Sequence, residues 1–215
     1  TSFGMVYVQR AFSLPHTRGG FGDPVQNLFK FKDGEKVIHL MSLDPKELQA
    51  GFSPSPGSES KSGKQASFDF TSPSGVGREG IVDGDSGYGF RFPLSNLAET
   101  TRSGRKIMSL KEGEKVVTVD LVKGSHVLLV SEAGKGLLMP LDQVSILTGA
   151  GRGVKLMNVG DGKLIGAKSV KRTDKPSLEL EDGSKKELDL KELPVYKRGS
   201  QGTIVSKRKK IVNLA

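Results

Sequence analysis

Gly149-Ala150-Gly151-Arg152-Gly153-Val154-Lys155-Leu156 is the stretch whose reading decides the fold. An arginine is set among glycines and runs straight into a short apolar strand candidate. The same form recurs at Arg18-Gly19-Gly20-Phe21-Gly22, Arg102-Ser103-Gly104-Arg105-Lys106 and Arg198-Gly199-Ser200-Gln201-Gly202. Each copy lies downstream of a tight glycine-bearing turn: Ser2-Phe3-Gly4, Asp85-Ser86-Gly87, Glu132-Ala133-Gly134 and Glu181-Asp182-Gly183. Arg102, Arg152 and Arg198 stand 50 and 46 residues apart. Arg18 and Arg102 are 84 apart, which fits one repeat plus an insertion of about 35 residues leaving through a surface loop. A period near fifty, built from strands and turns, predicts an all-β, propeller-like array of about four four-stranded blades rather than one compact sheet.

Working outward, the third unit reads as a strand over 127–130, the Ala133-Gly134 turn, a strand over 136–141, the Arg-Gly loop, Val154-Lys155-Leu156-Met157, the Gly160-Asp161-Gly162 turn and Leu164-Ile165. The second matches it strand for strand. Tyr88, Phe90 and Phe92 alternate with Gly89, Arg91 and Pro93, and a short turn runs from Leu94 to Leu97. The basic loop 101–106 follows, then Ile107-Met108-Ser109-Leu110, the Lys111-Glu112-Gly113-Glu114 turn and a strand over 116–119.

The first unit has Met5-Val6-Tyr7-Val8, a basic loop over 16–22, a loose strand through Val25, Leu28, Phe29 and Phe31, an Asp33-Gly34 hairpin, and Val37-Ile38-His39-Leu40 pairing back to complete four strands. The fourth has Leu178-Glu179-Leu180, Asp182-Gly183, Leu188-Asp189-Leu190, the loop 196–202, Thr203-Ile204-Val205 and Ile211-Val212. Lys207-Arg208-Lys209-Lys210 stands where the other units have an acidic glycine turn. From 44 to 80 the composition shifts to Ser, Gly and Pro. Residues 53–63 have nothing to bury and read as a flexible loop, with a strand candidate returning at Phe68 and Phe70. The whole of 1–215 is expected to be one domain carrying this insertion.

Hydrophobic residues make up 35% of the 215, low for a globular chain, yet their short alternating runs suffice to fill narrow layers between blades. Thirty-three Lys and Arg against 24 Asp and Glu leave a net charge of +9, which favours a polyanionic partner. Cysteine is absent, so disulfides and thiolate metal sites are excluded, and the composition fits a reducing cytoplasm. No apolar run approaches the ~18 residues of a membrane helix, and no charged-then-apolar leader is present. The sequence starts at Thr1, inside a strand candidate, and so reads as a piece of a longer protein.

GYGFRFPLSNLAETTRSGRKIMSLKEGEKVVTV (87–119) and GKGLLMPLDQVSILTGAGRGVKLMNVGDGKLIGA (134–167) resemble two successive blades of the C-terminal domain shared by the gyrase A protein of bacterial DNA gyrase and the corresponding subunit of topoisomerase IV. GMVYVQRAFSLPHTRGGFG (4–22) resembles the start of another, and the likeness covers nearly all of the chain outside the insertion. The resemblance implies a β-pinwheel, a propeller-like disc whose blades exchange strands, with duplex DNA wrapped around a basic rim. It implies no cofactor in this domain, since ATP and Mg2+ belong to other parts of such an enzyme. The partners it implies are double-stranded DNA, the ATPase subunit of the enzyme, and the remainder of the A-type subunit. The location it implies is the bacterial cytoplasm, associated with the nucleoid. The gyrase marker loop Q-R-R-G-G-K-G, needed for chiral wrapping, has no intact copy. Tyr196-Lys197-Arg198-Gly199-Ser200-Gln201-Gly202 keeps the second Arg and two of the glycines, and Thr17-Arg18-Gly19-Gly20-Phe21-Gly22 keeps Arg-Gly-Gly and the last Gly. That departure favours a topoisomerase IV-like or degenerate gyrase domain.

Arg-Gly loops suit DNA for a physical reason. Glycine lets the backbone approach a phosphate and offers N–H donors, while a neighbouring Arg makes a forked contact to phosphate oxygens. The same glycines also serve tight blade crossings. With the resemblance, Arg18, Arg102, Arg105, Lys106, Arg152, Lys155, Lys197 and Arg198 are read as phosphate contacts. The run Lys207, Arg208, Lys209 and Lys210 joins them, because residues 185–215 carry nine cations and three acids.

Catalysis finds no support. His16, His39 and His126 lack ligand spacing, no G-x-x-x-x-G-K-[ST] occurs, and Tyr7, Tyr88 and Tyr196 fall within repeats. Aromatics are 6% and Trp is absent, which disfavours stacking on single strands. The sequence predicts a non-catalytic duplex-binding module, with a propeller that binds a protein partner as the alternative.

Overall fold

A computed structural model of the chain describes residues 1–14, 19–43, 79–97 and 100–215. Among these, glycine turns cut the apolar runs into thirteen strands: β1 (Met5–Val6), β2 (Glu79–Gly84), β3 (Tyr88–Pro93), β4 (Arg105–Lys106), β5 (Val116–Leu121), β6 (His126–Ser131), β7 (Lys135–Pro140), β8 (Val154–Lys155), β9 (Leu164–Val170), β10 (Ser177–Leu180), β11 (Lys185–Glu187), β12 (Thr203–Ile204) and β13 (Ile211–Leu214). They form four antiparallel sheets. Blade I is β1-β4, blade II β5-β2-β3-β8, blade III β9-β6-β7-β12 and blade IV β13-β10-β11.

The repeat of the sequence is not the blade of the structure. The strand after each Arg-Gly loop leaves its own unit and pairs with the preceding one: β4 on β1, β8 on β3 and β12 on β7. Turn glycines make the handover possible. Gly87 O accepts the N–H groups of Leu156 (2.8 Å) and Met157 (3.2 Å), and Gly134 O those of Val205 (2.9 Å) and Ser206 (3.0 Å). Both glycines have positive φ, 79° and 77°. A Cβ would lie 2.4 Å from Met157 O at Gly87 and 2.2 Å from Ser206 O at Gly134, so no larger residue leaves room for the incoming strand. The third unit therefore contributes β8 to blade II and returns through the turn at 160–162 to place β9 in blade III.

Three apolar layers separate the four blades. Val82, Phe90, Phe92 and Met108 fill the layer between blades I and II. Ile81, Leu129, Leu137, Leu156 and Met157 fill the next, and Leu128, Val130, Leu138, Leu178 and Ile211 the last. Residues 127–130 of β6 are all buried because the strand faces a layer on each side, Leu129 toward blade II and Leu128 and Val130 toward blade IV. Burying each such side chain contributes about 1.5–3 kcal/mol, so a chain with modest apolar content still packs a continuous core.

Blade I departs from the expected four strands. Val25–Leu28 is a single helical turn, not a strand, and 37–40 join no ladder. The reason lies in two contacts. The Arg102 guanidinium donates to the carbonyls of Leu28 (3.2 Å) and Asn27 (2.6 Å), closing the C-terminal end of the turn. Phe29 and Phe31 then pack on Tyr7, with ring centroids 5.0 and 4.9 Å away. The Lys32–Glu35 turn is present, Lys32 N–H donating to Glu35 Oε2 at 2.9 Å and Glu35 N–H to Lys32 O at 3.1 Å. In blade IV the strand is Lys185–Glu187, with Leu188-Asp189-Leu190 beyond its end, because the Asp182-Gly183 turn sets the antiparallel pairing with β10 three residues earlier than the leucines suggest. Of the insertion expected over 44–80, residues 44–78, with the loop at 53–63 and the strand candidate at Phe68 and Phe70, lie outside the described residues, while Glu79 and Gly80 begin β2 and so belong to blade II.

Candidate nucleic-acid interface

The basic loops of Arg102, Arg152 and Arg198 each end in an exchanged strand, so each sits at the outer edge of the blade before its own. Arg102, Arg105 and Lys106 lie on blade I, Arg152 and Lys155 on blade II, and Lys197 and Arg198 on blade III. Arg18 lies outside the described residues.

The loops are joined in a row. Lys30 N–H donates to Arg102 O (2.8 Å), Ser109 N–H to Gly151 O (2.8 Å) and Asn158 N–H to Ser200 O (2.9 Å). The same bond thus recurs at the same place in three successive repeats, tying each Arg-Gly loop to the segment that follows the preceding basic loop: the helical turn Val25–Leu28 in the first case and the exchanged strands β4 and β8 in the other two. Gly199 N–H to Leu156 O (2.6 Å) reinforces the last junction. A second tether comes from the 3-10 turns that follow β3 and β7. Asn96 Nδ2 donates to Thr148 O (2.8 Å), and Gln143 Oε1 accepts from Arg198 N–H (2.9 Å). Asn96 and Gln143 each stand nine residues after the turn glycine, at 87 and 134, and each holds the loop of the following repeat. Sequence reasoning passed over both; the signal was an amide side chain at one fixed offset.

The cations divide into two groups. Arg105, Lys106, Lys155, Lys197, Arg198, Lys207 and Arg208 are exposed and make no ion pair among the described residues. Others are engaged by the protein. Arg102 is exposed but bonded to the Asn27 and Leu28 carbonyls. Arg152 pairs with Glu114, and its guanidinium carbon lies 4.0 Å from the centre of the Tyr88 ring. Lys209 pairs with Asp182, and Lys210 with Glu132 at 2.9 Å. The Lys209 ammonium, with the Ser184 hydroxyl, holds the Asp182 carboxyl well below the usual carboxylate range, and Glu132 raises Lys210. Among the described residues, no group of three or more His, Asp or Glu side chains is placed to hold a metal ion, and no helix is long and apolar enough to cross a membrane.

Arg152 carries structural weight. Its side chain is 26% exposed and that of Glu114 15%, and together they tie the third basic loop to the Lys111–Glu114 turn of the second repeat. Arg152→Ala is expected to lower unfolding stability by about 1 kcal/mol, through the lost half-buried pair and the lost cation–π contact. Urea unfolding of the two proteins measures it.

Stacked antiparallel sheets that hand short strands back along the array, with basic glycine loops on their outer edges, define a β-pinwheel. Comparison places the chain within one family of that class: it belongs to the DNA gyrase C-terminal domain, beta-propeller family, whose model matches residues 1–44, 84–123, 125–171 and 188–211. The chain is 25% identical over 222 residues to the gyrase A protein of Pseudomonas aeruginosa DNA gyrase, a match covering 95% of this chain and 24% of that relative. It is 27% identical over 159 residues to the corresponding A protein of Salmonella typhimurium DNA topoisomerase 4, covering 73% of this chain and 17% of the relative. The chain thus spans about a quarter of the length of the gyrase proteins it matches. Its fold superposes on the E. coli ParC C-terminal domain with a TM-score of 0.70 at 21% identity, over 100% of this chain and 78% of the other. On a DNA gyrase A C-terminal domain the TM-score is 0.59 at 22% identity, over 64% of this chain and 50% of the other.

Proposed function

We propose that this chain is the non-catalytic DNA-handling module of a type IIA topoisomerase, binding duplex DNA along its blade edges and bending or wrapping it so that a segment is presented for transport. The observation that carries this reading is the row of basic loops stitched by one recurring backbone bond. Successive blades thereby carry their cations on equivalent loops at their outer edges. Phosphate contacts are assigned to Arg105, Lys106, Lys155, Lys197, Arg198, Lys207 and Arg208, which make no ion pair among the described residues. Arg102, Arg152, Lys209 and Lys210 would hold the loops in place while adding to the local positive potential.

Bending a 20–30 bp duplex costs on the order of 1–6 kcal/mol, and the contacts along the edge offset it. The cleavage and ATP chemistry would belong to an ATPase partner and to the rest of the A-type subunit, in the bacterial cytoplasm at the nucleoid. The missing marker-loop residues favour bending over gyrase-type chiral wrapping.

A salt titration of duplex affinity tests the reading. Log K is expected to fall linearly with log salt, by about 0.9 per phosphate neutralised, and Lys197→Ala/Arg198→Ala to reduce the slope by about two contacts without changing sequence preference. The alternative, a protein-binding propeller, has the exposed Phe12, Phe21 and Leu40 around blade I in its favour. It predicts weak salt dependence and an unchanged slope in the double variant.

A further inference from the structure

Blade III faces blade IV with Leu128, Val130 and Leu138, and Gly136 in the same strand pair leaves room for the Val205 side chain of the incoming strand, 2.9 Å from where a Cβ would stand. The antiparallel registers give the corresponding residues of blade IV. Gly136 pairs opposite Val130 and Leu138 opposite Leu128, while Lys185 pairs opposite Glu179 and Glu187 opposite Ser177. Where blade III presents Leu128, Val130, Gly136 and Leu138 to its neighbour, blade IV thus presents Ser177, Glu179, Lys185 and Glu187. β10 accordingly alternates, Leu178 and Leu180 buried against blade III and Ser177 and Glu179 only half-buried, whereas residues 127–130 of β6 are buried on both faces.

The pair that receives the exchanged strand, Tyr88-Gly89 in blade II and Lys135-Gly136 in blade III, is Ser184-Lys185 at the start of β11, and the inner face of β11 is altered as well. Lys186 occupies the place of Phe90 and Leu137, the fully buried residues three positions after the turn glycine in blades II and III. Its ammonium donates to Val205 O at 2.6 Å. In the preceding repeat the matching carbonyl, Leu156 O, instead receives the N–H of Gly199 from the following loop. Lys186 therefore satisfies from within blade IV the acceptor that a following loop satisfies elsewhere. At Gly183 a Cβ would meet nothing within 4 Å, in contrast to the 2.4 and 2.2 Å approaches at Gly87 and Gly134.

We propose that blade IV is a capping blade, whose outer face and β11 edge are built to refuse a further blade and a further exchanged strand. Charges on an edge and a polar outer face are how sheets and repeat arrays stop without aggregating. Blade IV then neither takes a further strand at β11 nor strings copies together at that edge. If the rim binds DNA as proposed above, its track ends at blade IV, although the cap itself does not depend on that reading.

Sedimentation velocity over a wide concentration range, without DNA, tests the proposal. The natural sequence is expected to show no self-association through this face. S177L/E179V/K185G/E187L, which copies the residues of blade III, is expected to form concentration-dependent oligomers. A folded variant that stays monomeric overturns the proposal, as does self-association of the natural sequence that E187P, which removes an outward-pointing N–H of β11, weakens. Amide hydrogen exchange on the natural protein gives a reading that does not require the variant to fold. The outward-pointing amides of β11 are expected to exchange at least 100-fold faster than those of β7, and protection of β11 equal to that of β7 overturns the cap.

Discussion

Gly134→Ala is expected to destabilise the protein by about 3 kcal/mol or more, among the largest effects of any single methyl group in this chain. Three costs combine at that position. The φ of 77° is unfavourable for an L-residue by roughly 1–2 kcal/mol. The new Cβ would lie 2.2 Å from Ser206 O, so the incoming strand must move, an overpacking cost of about 1–3 kcal/mol. Moving it weakens the bonds from Val205 and Ser206 N–H to Gly134 O, and Val205 is a buried member of the layer between blades III and IV. Gly183→Ala is the control. The turn is equivalent and the φ is 79°, but no atom lies within 4 Å of the added methyl, so only the backbone cost of roughly 1–2 kcal/mol applies. Urea unfolding of both variants isolates the contribution of strand exchange. Equal losses would mean that β12 does not depend on the close approach at Gly134.

The pairing behind that prediction marks the boundary of what the sequence displayed. Turns were legible because glycine and acid residues declare them locally: Asp85-Ser86-Gly87, Glu132-Ala133-Gly134 and Lys111–Glu114 all fold as read. The all-β repeat was legible because its period survives in the Arg-Gly loops. That blades exchange strands came from the family resemblance and is borne out; the residues alone do not show which blade a strand joins, since β8 at Val154–Lys155 carries nothing that distinguishes pairing with β7 of its own unit from pairing with β3 of the one before. That choice is made by a distant glycine carbonyl. Blade I misled for a related reason. Val25, Leu28, Phe29 and Phe31 have the apolar character of a strand, and Arg102, 74 residues beyond Leu28, holds Val25–Leu28 in a helical turn through the Asn27 and Leu28 carbonyls. At the interface, Arg152 stood out as the centre of the best repeat, yet the structure engages its charge with Glu114 and Tyr88 and leaves the plainer Lys155 free. Net charge and loop spacing locate a basic edge; they do not separate cations that face solvent from cations that hold the loop.

Asp83→Val is expected to stabilise the protein at neutral pH by about 1–3 kcal/mol, the scale on which an unpaired buried polar group is unfavourable. Asp83 is fully buried and neither carboxylate oxygen has a hydrogen-bond partner. It sits in β2 opposite Gly89 of β3 and Thr118 of β5, and the next blade has Val130 at the corresponding place, opposite Gly136 and Gly166. Burial pushes its carboxyl well above the ordinary 3.8; the nearby Thr118 hydroxyl, itself an acceptor for Ala167 N–H at 3.0 Å, opposes the shift, and the charge of Asp120 adds to it. The sign of the pH dependence follows. A raised folded-state pKa means that the folded protein holds the proton more tightly than the unfolded chain. Stability from this group is therefore full below about pH 4 and is lost as pH rises through the folded pKa. Asp83→Val and Asp83→Asn should both remove that component, and Val alone should also remove the unsatisfied polar group. Unfolding free energies measured from pH 4 to pH 8 decide the matter. If the three proteins lose stability in parallel over that range, Asp83 does not titrate with folding, and a valine no more stable than the asparagine would show that its carboxylate is solvated within the sheet.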